Sequence, residues 1–185
     1  MAEPAGPAAP AADRYPNQSW TTYLRSRPAA ASFALLSFGA AAIHFAVSPD
    51  HFAEWAPYGV AFACLGWFQV LWAAAYLARP SRAWGRLAAV VNAGVVLVWL
   101  WSRLVGLPFG PEPGSREAVG LADTISSVFE ALLVVGLVGQ ERRLGSALRG
   151  QPARWGGVAV AVTITVVLVT IAALVALAPA PMAMG

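Results

Sequence analysis

Residues Val119 to Val138 read VGLADTISSVFEALLVVGLV. The stretch has the length, roughly 20 residues, at which a helix crosses ~30 Å of hydrocarbon. It also carries Asp123, Ser126, Ser127 and Glu130, spaced i, i+3, i+4 and i+7, so a helix gathers them into one polar stripe on an otherwise apolar cylinder. A charged side chain at bilayer depth costs about 2.5–3.5 kcal/mol on insertion scales, so each one asks for a partner or a role. Such a helix needs neighbours that hide its stripe. The expectation is a bundle of helices with polar faces turned inward.

Four further apolar segments lie on either side of it: Ala29 to Val47, with Pro49 expected to stop it, Pro57 to Ala78, Arg86 to Leu104, and Gly156 to Ala178. Helices are the form they must take, because an unpaired backbone amide in lipid costs several kcal/mol and five spans cannot close a barrel. The fifth segment carries no charge, and its polar groups Thr163, Thr165 and Thr170 are of the kind that bond back to their own helix. It can face lipid on most sides. The fold class expected is therefore all-α: a polytopic membrane protein with a four-helix transmembrane bundle and a peripheral fifth transmembrane helix. The chain divides into a Pro- and Ala-rich disordered cytoplasmic tail (1–28), the bundle with its polar core (29–140), a basic cytoplasmic loop (141–155), and the fifth helix with a short outer tail (156–185). Arg25 and Arg27 precede the first segment as in a signal peptide, but four more spans follow, so it reads as an uncleaved anchor.

Composition points the same way. Of 185 residues, 58% are hydrophobic and 11% charged, with a mean hydropathy of +0.62; soluble domains carry roughly 25% charged residues. That apolar surface exceeds what one compact core of this size hides from water. All 12 basic residues are Arg, which with the abundance of Ala, Gly, Val and Pro suggests a GC-rich bacterial genome. Ten of them (Arg14, Arg25, Arg27, Arg79, Arg82, Arg86, Arg142, Arg143, Arg149 and Arg154) fall on one side of the alternating spans, and two (Arg103 and Arg116) on the other. The positive-inside rule then places the N-terminus in the cytoplasm and the C-terminus outside the cell membrane. Trp20, Trp55, Trp84 and Trp155 fall at the expected interfaces. The pI of about 9.6 comes from these loop Arg residues and does not signal nucleic-acid binding. Cys64 is the lone cysteine, which excludes an intrachain disulfide and a thiolate metal cluster, and its expected place is buried.

The polar residues within the spans are the candidate site for a proton, cation or solute: His44, Gln69, Asn92, Arg103, Asp123, Ser127 and Glu130. Helical rise puts Glu130 and Gln69 near mid-depth, His44 one turn below the outer end of its span, Asn92 in the inner half, and Arg103 and Asp123 toward the outside. Ser37, Ala41, His44 and Ser48 share one face, and Asn92, Val96, Trp99 and Arg103 another. If these faces meet, the core is richest toward the outside. Glu130 reads either as a proton- or cation-binding carboxylate or as a neutral carboxyl bonded to Gln69 or a Ser to hold helices together. Arg103 and Asp123 read as an ion-pair clasp, and His44 as a helix-packing hydrogen bonder or a ligand. The segment from Pro49 to Trp55 is expected as an outer loop in which His51 and Glu54, three apart, with Asp50, could hold a divalent metal; a solvated acidic loop accounts for it equally. No phosphate-binding loop, GxSxG elbow, HExxH or flavin motif is present, and two His, one of them in the expected loop, do not make a bis-histidine haem. No cofactor is strongly implied.

His44, Pro49-Asp50-His51-Phe52 with Glu54, Ser102-Arg103 with Val105-Gly106-Leu107-Pro108, Asp123 and Glu130 together resemble a group of small actinobacterial multi-pass membrane proteins. The resemblance covers about residues 35–138. It implies a shared four-helix polar core and carries no activity, substrate or cofactor.

The residues thus favour an outward-opening intramembrane polar site that binds or transports a proton, cation or small solute, more a binder than an enzyme. Two alternatives stand beside it: a structural or accessory subunit of a membrane complex, whose buried polar groups specify packing and partner choice, and a quinone-linked membrane oxidoreductase with His44 as the proton-exchanging group. The partners expected are the lipid bilayer and another membrane protein or a second copy of the chain.

Overall fold

The computed structural model describes residues 28–146 and 155–177, and among them the regular elements are five helices. These are α1 (Pro28–Glu54), α2 (Ala56–Ala78), α3 (Arg82–Leu104), α4 (Leu121–Ser146) and α5 (Trp155–Leu177). The expected N-terminal tail up to residue 27, most of the basic loop (147–154) and the C-terminal tail (178–185) lie outside the described residues.

Burial is the reverse of a soluble protein's. Val90 is 72% exposed, Val135 70% and Leu71 63%, whereas Gln69, Asn92 and Glu130 are each 1% exposed. In water this arrangement would forfeit both the hydrophobic effect and the solvation of the polar groups; in lipid it satisfies both. Four helices are long and apolar enough to cross a membrane, over Ala29–Glu54, Ala56–Ala78, Arg82–Leu104 and Leu121–Glu141. In α5 the described apolar stretch, Ile164–Val175, falls short of that length. The protein is an all-α polytopic membrane bundle.

α1 is its centre. It packs most extensively on α2 and also against α4 and α5, while α3 packs on α4 and only lightly on α2. The close approach of α1 is made by aromatic rings that fill the space left by glycines: Phe45 lies over Gly66 and Phe52 over Gly59 on α2, Phe33 over Gly136 on α4, and Phe129 of α4 over Gly39 of α1. Small residues at such crossings let backbones approach, and dispersion contacts then hold them where lipid offers no hydrophobic drive. α5 lies outside this ring and contributes Val166 and Ala173 to the core. Its Thr170 faces Gly39, and the hydroxyl is buried with no hydrogen-bond partner among the described residues; the expected bond to its own helix is not made.

Four other expectations are corrected. Pro49 does not end the first helix, which continues to Glu54. Proline costs a helix one backbone bond, at the carbonyl four residues earlier, and the bundle absorbs it here. The next connection is Trp55 alone, in extended conformation, with a proline in the first turn of α2. The supposed outer loop from Pro49 is thus the last part of α1. His44 therefore lies ten residues, ~15 Å, from the helix end, not one turn from it. Finally, Cys64 is exposed: two residues from Phe62, it is turned ~200° from the face that meets α1.

The connection between α2 and α3 is short, with Ser81 capping α3 by accepting from the Trp84 amide at 3.2 Å. That between α3 and α4, residues 105–120, is a folded cap. Gly106 and Gly114 take positive φ angles there, which side-chain-bearing residues rarely adopt. Tyr58 donates to the Phe109 carbonyl at 3.0 Å, and the Glu117 amide donates to the Ser102 carbonyl at 3.1 Å, so the cap is pinned to α2 and α3.

Candidate functional site

Each of the four bundle helices sends one polar side chain to a common point. α4 supplies Glu130, α1 His44, α2 Gln69 and α3 Asn92, all buried. Nε2 of His44 lies 2.8 Å from Oε1 of Glu130, and Nε2 of Gln69 donates to the same oxygen at 2.9 Å. The Gln69 nitrogen also donates to Oδ1 of Asn92 at 3.3 Å, and Nδ2 of Asn92 donates back to the Ala88 carbonyl of its own helix at 2.8 Å. The Ser126 hydroxyl is 3.4 Å from His44 Nε2. Two serines hold the backbone around the cluster: Ser37 donates to the Gln69 carbonyl at 3.0 Å and Ser48 to the His44 carbonyl at 2.6 Å.

Because Gln69 donates to Oε1, that oxygen acts as acceptor, and the assignment that fits both neighbours puts a hydrogen on His44 Nε2. Three polar atoms of the cluster then remain without a partner among the described residues: His44 Nδ1, Glu130 Oε2 and Gln69 Oε1. A buried polar atom left unpaired costs about 1–3 kcal/mol. The pair of ionisable groups is therefore closed to water yet keeps one free proton position on each ring or carboxyl.

A second cluster sits two turns nearer the start of α4. Arg103, its side chain 10% exposed, donates through Nη2 to Asp123 Oδ2 at 2.6 Å and through Nη1 to Glu117 Oε2 at 2.5 Å and to Ser102 Oγ at 2.6 Å. Its guanidinium carbon is 5.7 Å from the centre of the Trp99 ring. One arginine thus joins α3, α4 and the cap of residues 105–120. Six of the seven residues grouped by sequence divide in two: His44, Gln69, Asn92 and Glu130 meet in the interior, and Arg103 and Asp123 form an end clasp. Ser127 is buried one turn before Glu130 and takes no part in these bonds. Of the further residues the structure adds to the two clusters, Ser126 and Trp99 lie on the stripes that spacing identifies, whereas no spacing signal marks Glu117. Nor does the interior cluster open outward, since His44 and Glu130 are 4% and 1% exposed.

The suggested metal ligands do not assemble. His51 Nδ1 and Glu54 Oε2 are 3.3 Å apart, Asp50 is exposed and does not join them, and among the described residues no three His, Cys, Asp or Glu side chains gather as a metal site requires. Extension of α1 gives His51 a different neighbour. Its ring stacks on Phe62 of α2 with centroids 3.9 Å apart, and Phe62 meets the ring of His44 edge-on at 5.4 Å.

Set against protein-family models, curated proteins and solved structures, the chain matches none of them.

Proposed function

We propose that this membrane protein binds and exchanges a proton at the buried His44–Glu130 pair. The observation that carries this reading is the 2.8 Å approach of the two groups inside the bundle, each retaining an unpartnered polar atom. Ionisable groups placed at membrane depth at a cost of about 2.5–3.5 kcal/mol are characteristic of proton and ion relays. From a neutral ring protonated at Nε2 and a carboxylate, a proton added at His44 Nδ1 makes the ring cationic, and transfer of the Nε2 proton to Glu130 Oε1, 2.8 Å away, leaves a neutral ring and a carboxylic acid. By the distribution of Arg residues, the protein lies in the cell membrane with its N-terminus in the cytoplasm and its C-terminus outside.

The test is Glu130→Gln in proteoliposomes carrying a pH-sensitive dye. The amide oxygen can still accept from His44 and Gln69, so the variant is expected to assemble, while proton flux falls about tenfold or more for want of a titrating group. Equal flux in both proteins overturns the proposal. A structural reading is favoured by one observation, that the cluster takes one residue from each of four helices. On that reading Glu130→Ala fails to assemble while Glu130→Gln assembles and changes nothing else.

A further inference from the structure

The run of α1 through Pro49 sets two imidazoles, His44 and His51, seven residues apart on one face of a single helix, ~10.5 Å along its axis. The ring of Phe62 fills the space between them. Toward His51 the rings are stacked, 3.9 Å apart and 26° from parallel; toward His44 they are edge-on, 5.4 Å apart and 76° from parallel. Both separations are van der Waals contact, leaving no room for water on either side, and phenylalanine offers no atom that relays a proton. The ring is held by an interlock. Gly59 and Gly66 flank Phe62 on α2, and each is covered by a ring from α1, Phe52 and Phe45 respectively, so α2 inserts one aromatic between two that α1 inserts into it.

The two histidines differ in what lies beyond them. His51, its side chain 21% exposed, faces Glu54, 46% exposed, and both are in reach of solvent. His44 faces Glu130 in the interior. We propose that Phe62 is the gate of the proton site: the His51–Glu54 pair exchanges protons with water, and displacement of the Phe62 ring connects it to His44–Glu130. This rests on the proton-exchange reading for its purpose, but the barrier itself is a property that can be measured alone.

The chain has two histidines, so their reactivity can be followed separately by diethyl pyrocarbonate labelling of the full-length protein in lipid, read by peptide mass spectrometry. In the native protein His51 should label and His44 should not. Phe62→Ala should raise His44 labelling about tenfold or more, a buried group reacting only through local opening until its cover is removed. Phe62→Val should do so to a lesser degree, and Phe62→Leu should keep His44 protected. Protection of His44 unchanged in both Phe62→Ala and Phe62→Val, or native labelling of His44 as fast as His51, overturns the gate. If Phe62→Ala unfolds the protein, Phe62→Val carries the test on its own. Proton flux in the same vesicles separates the two claims. Labelling of His44 without flux in any variant leaves the gate standing and removes proton exchange; flux that depends on Glu130 but not on Phe62 does the opposite.

Discussion

Gln69 serves two acceptors with a single nitrogen. Its Nε2 reaches Glu130 Oε1 at 2.9 Å and Asn92 Oδ1 at 3.3 Å, using both of its hydrogens. Asn92 spends its own nitrogen on the Ala88 carbonyl within α3, so its tie to the rest of the cluster is the one it receives. The consequences of truncation are unequal. Asn92→Leu leaves Gln69 still bonded to Glu130, whereas Gln69→Leu strips a donor from Glu130 and strands the Asn92 oxygen. Hydrogen bonds between transmembrane helices average about 0.6 kcal/mol and reach about 1.7. Gln69→Leu is therefore expected to cost about 1–2 kcal/mol, and Asn92→Leu less than about 1, in reversible unfolding by steric trapping in bicelles. A larger loss for Asn92→Leu would mean that the cluster is organised from α3.

Among the elements, α1 and α2 make the tightest pair, and glycine positions say where it can be loosened. A Cβ on Gly59 would fall on Cγ of Phe52, the fixed stem of that ring, while one on Gly66 would meet the tip of Phe45, with Cε1 at 2.8 Å and Cζ at 2.9 Å. A ring tip swings by tenths of an ångström; a ring stem moves only if its helix does. Gly59→Ala should then destabilise by about 1–3 kcal/mol, as overpacking does. Gly66→Ala should be close to neutral, because the ~1 kcal/mol gained in helix propensity offsets a small shift. Equal effects in thermal unfolding would contradict this picture of the seam. The same elements show what could be read in the residues beforehand. Asp123, Ser126, Ser127 and Glu130 recur at the helical period, so their common face followed from spacing, and the long apolar runs fixed the places of the membrane helices. Heights between helices did not follow. Treating Pro49 as a terminator put His44 one turn from an end, and only the continuation to Glu54 lowers it to Glu130 and brings His51 onto Phe62. Glu117 joins Arg103 across a cap whose path depends on Gly106 and Gly114, and no periodicity marks a partner reached through such turns.

At the scale of the whole molecule, charge is sorted by end. Arg79, Arg82 and Arg86 lie at the end where α2 passes into α3, with Arg86 paired to Glu141 at 2.8 Å, and α4 brings Arg142 and Arg143 to the same end. At the other end Arg103 is neutralised by two carboxylates, Glu117 and Asp123, and Asp50, Glu54 and Glu112 add negative charge. On the orientation proposed from the arginine distribution, the α2–α3 turn would lie inside and the folded cap of residues 105–120 outside. The lone cysteine allows a direct measurement. With Cys64→Ser as background, Glu112→Cys should react in intact cells with a membrane-impermeant maleimide, because Glu112 is exposed on the cap. Arg82→Cys, exposed at the opposite end, should react only after permeabilisation. The reverse pattern would invert the molecule and place His51 and Glu54 in the cytoplasm. The Phe62 gate would then face inward, and the proton site would draw on the cell's own proton pool.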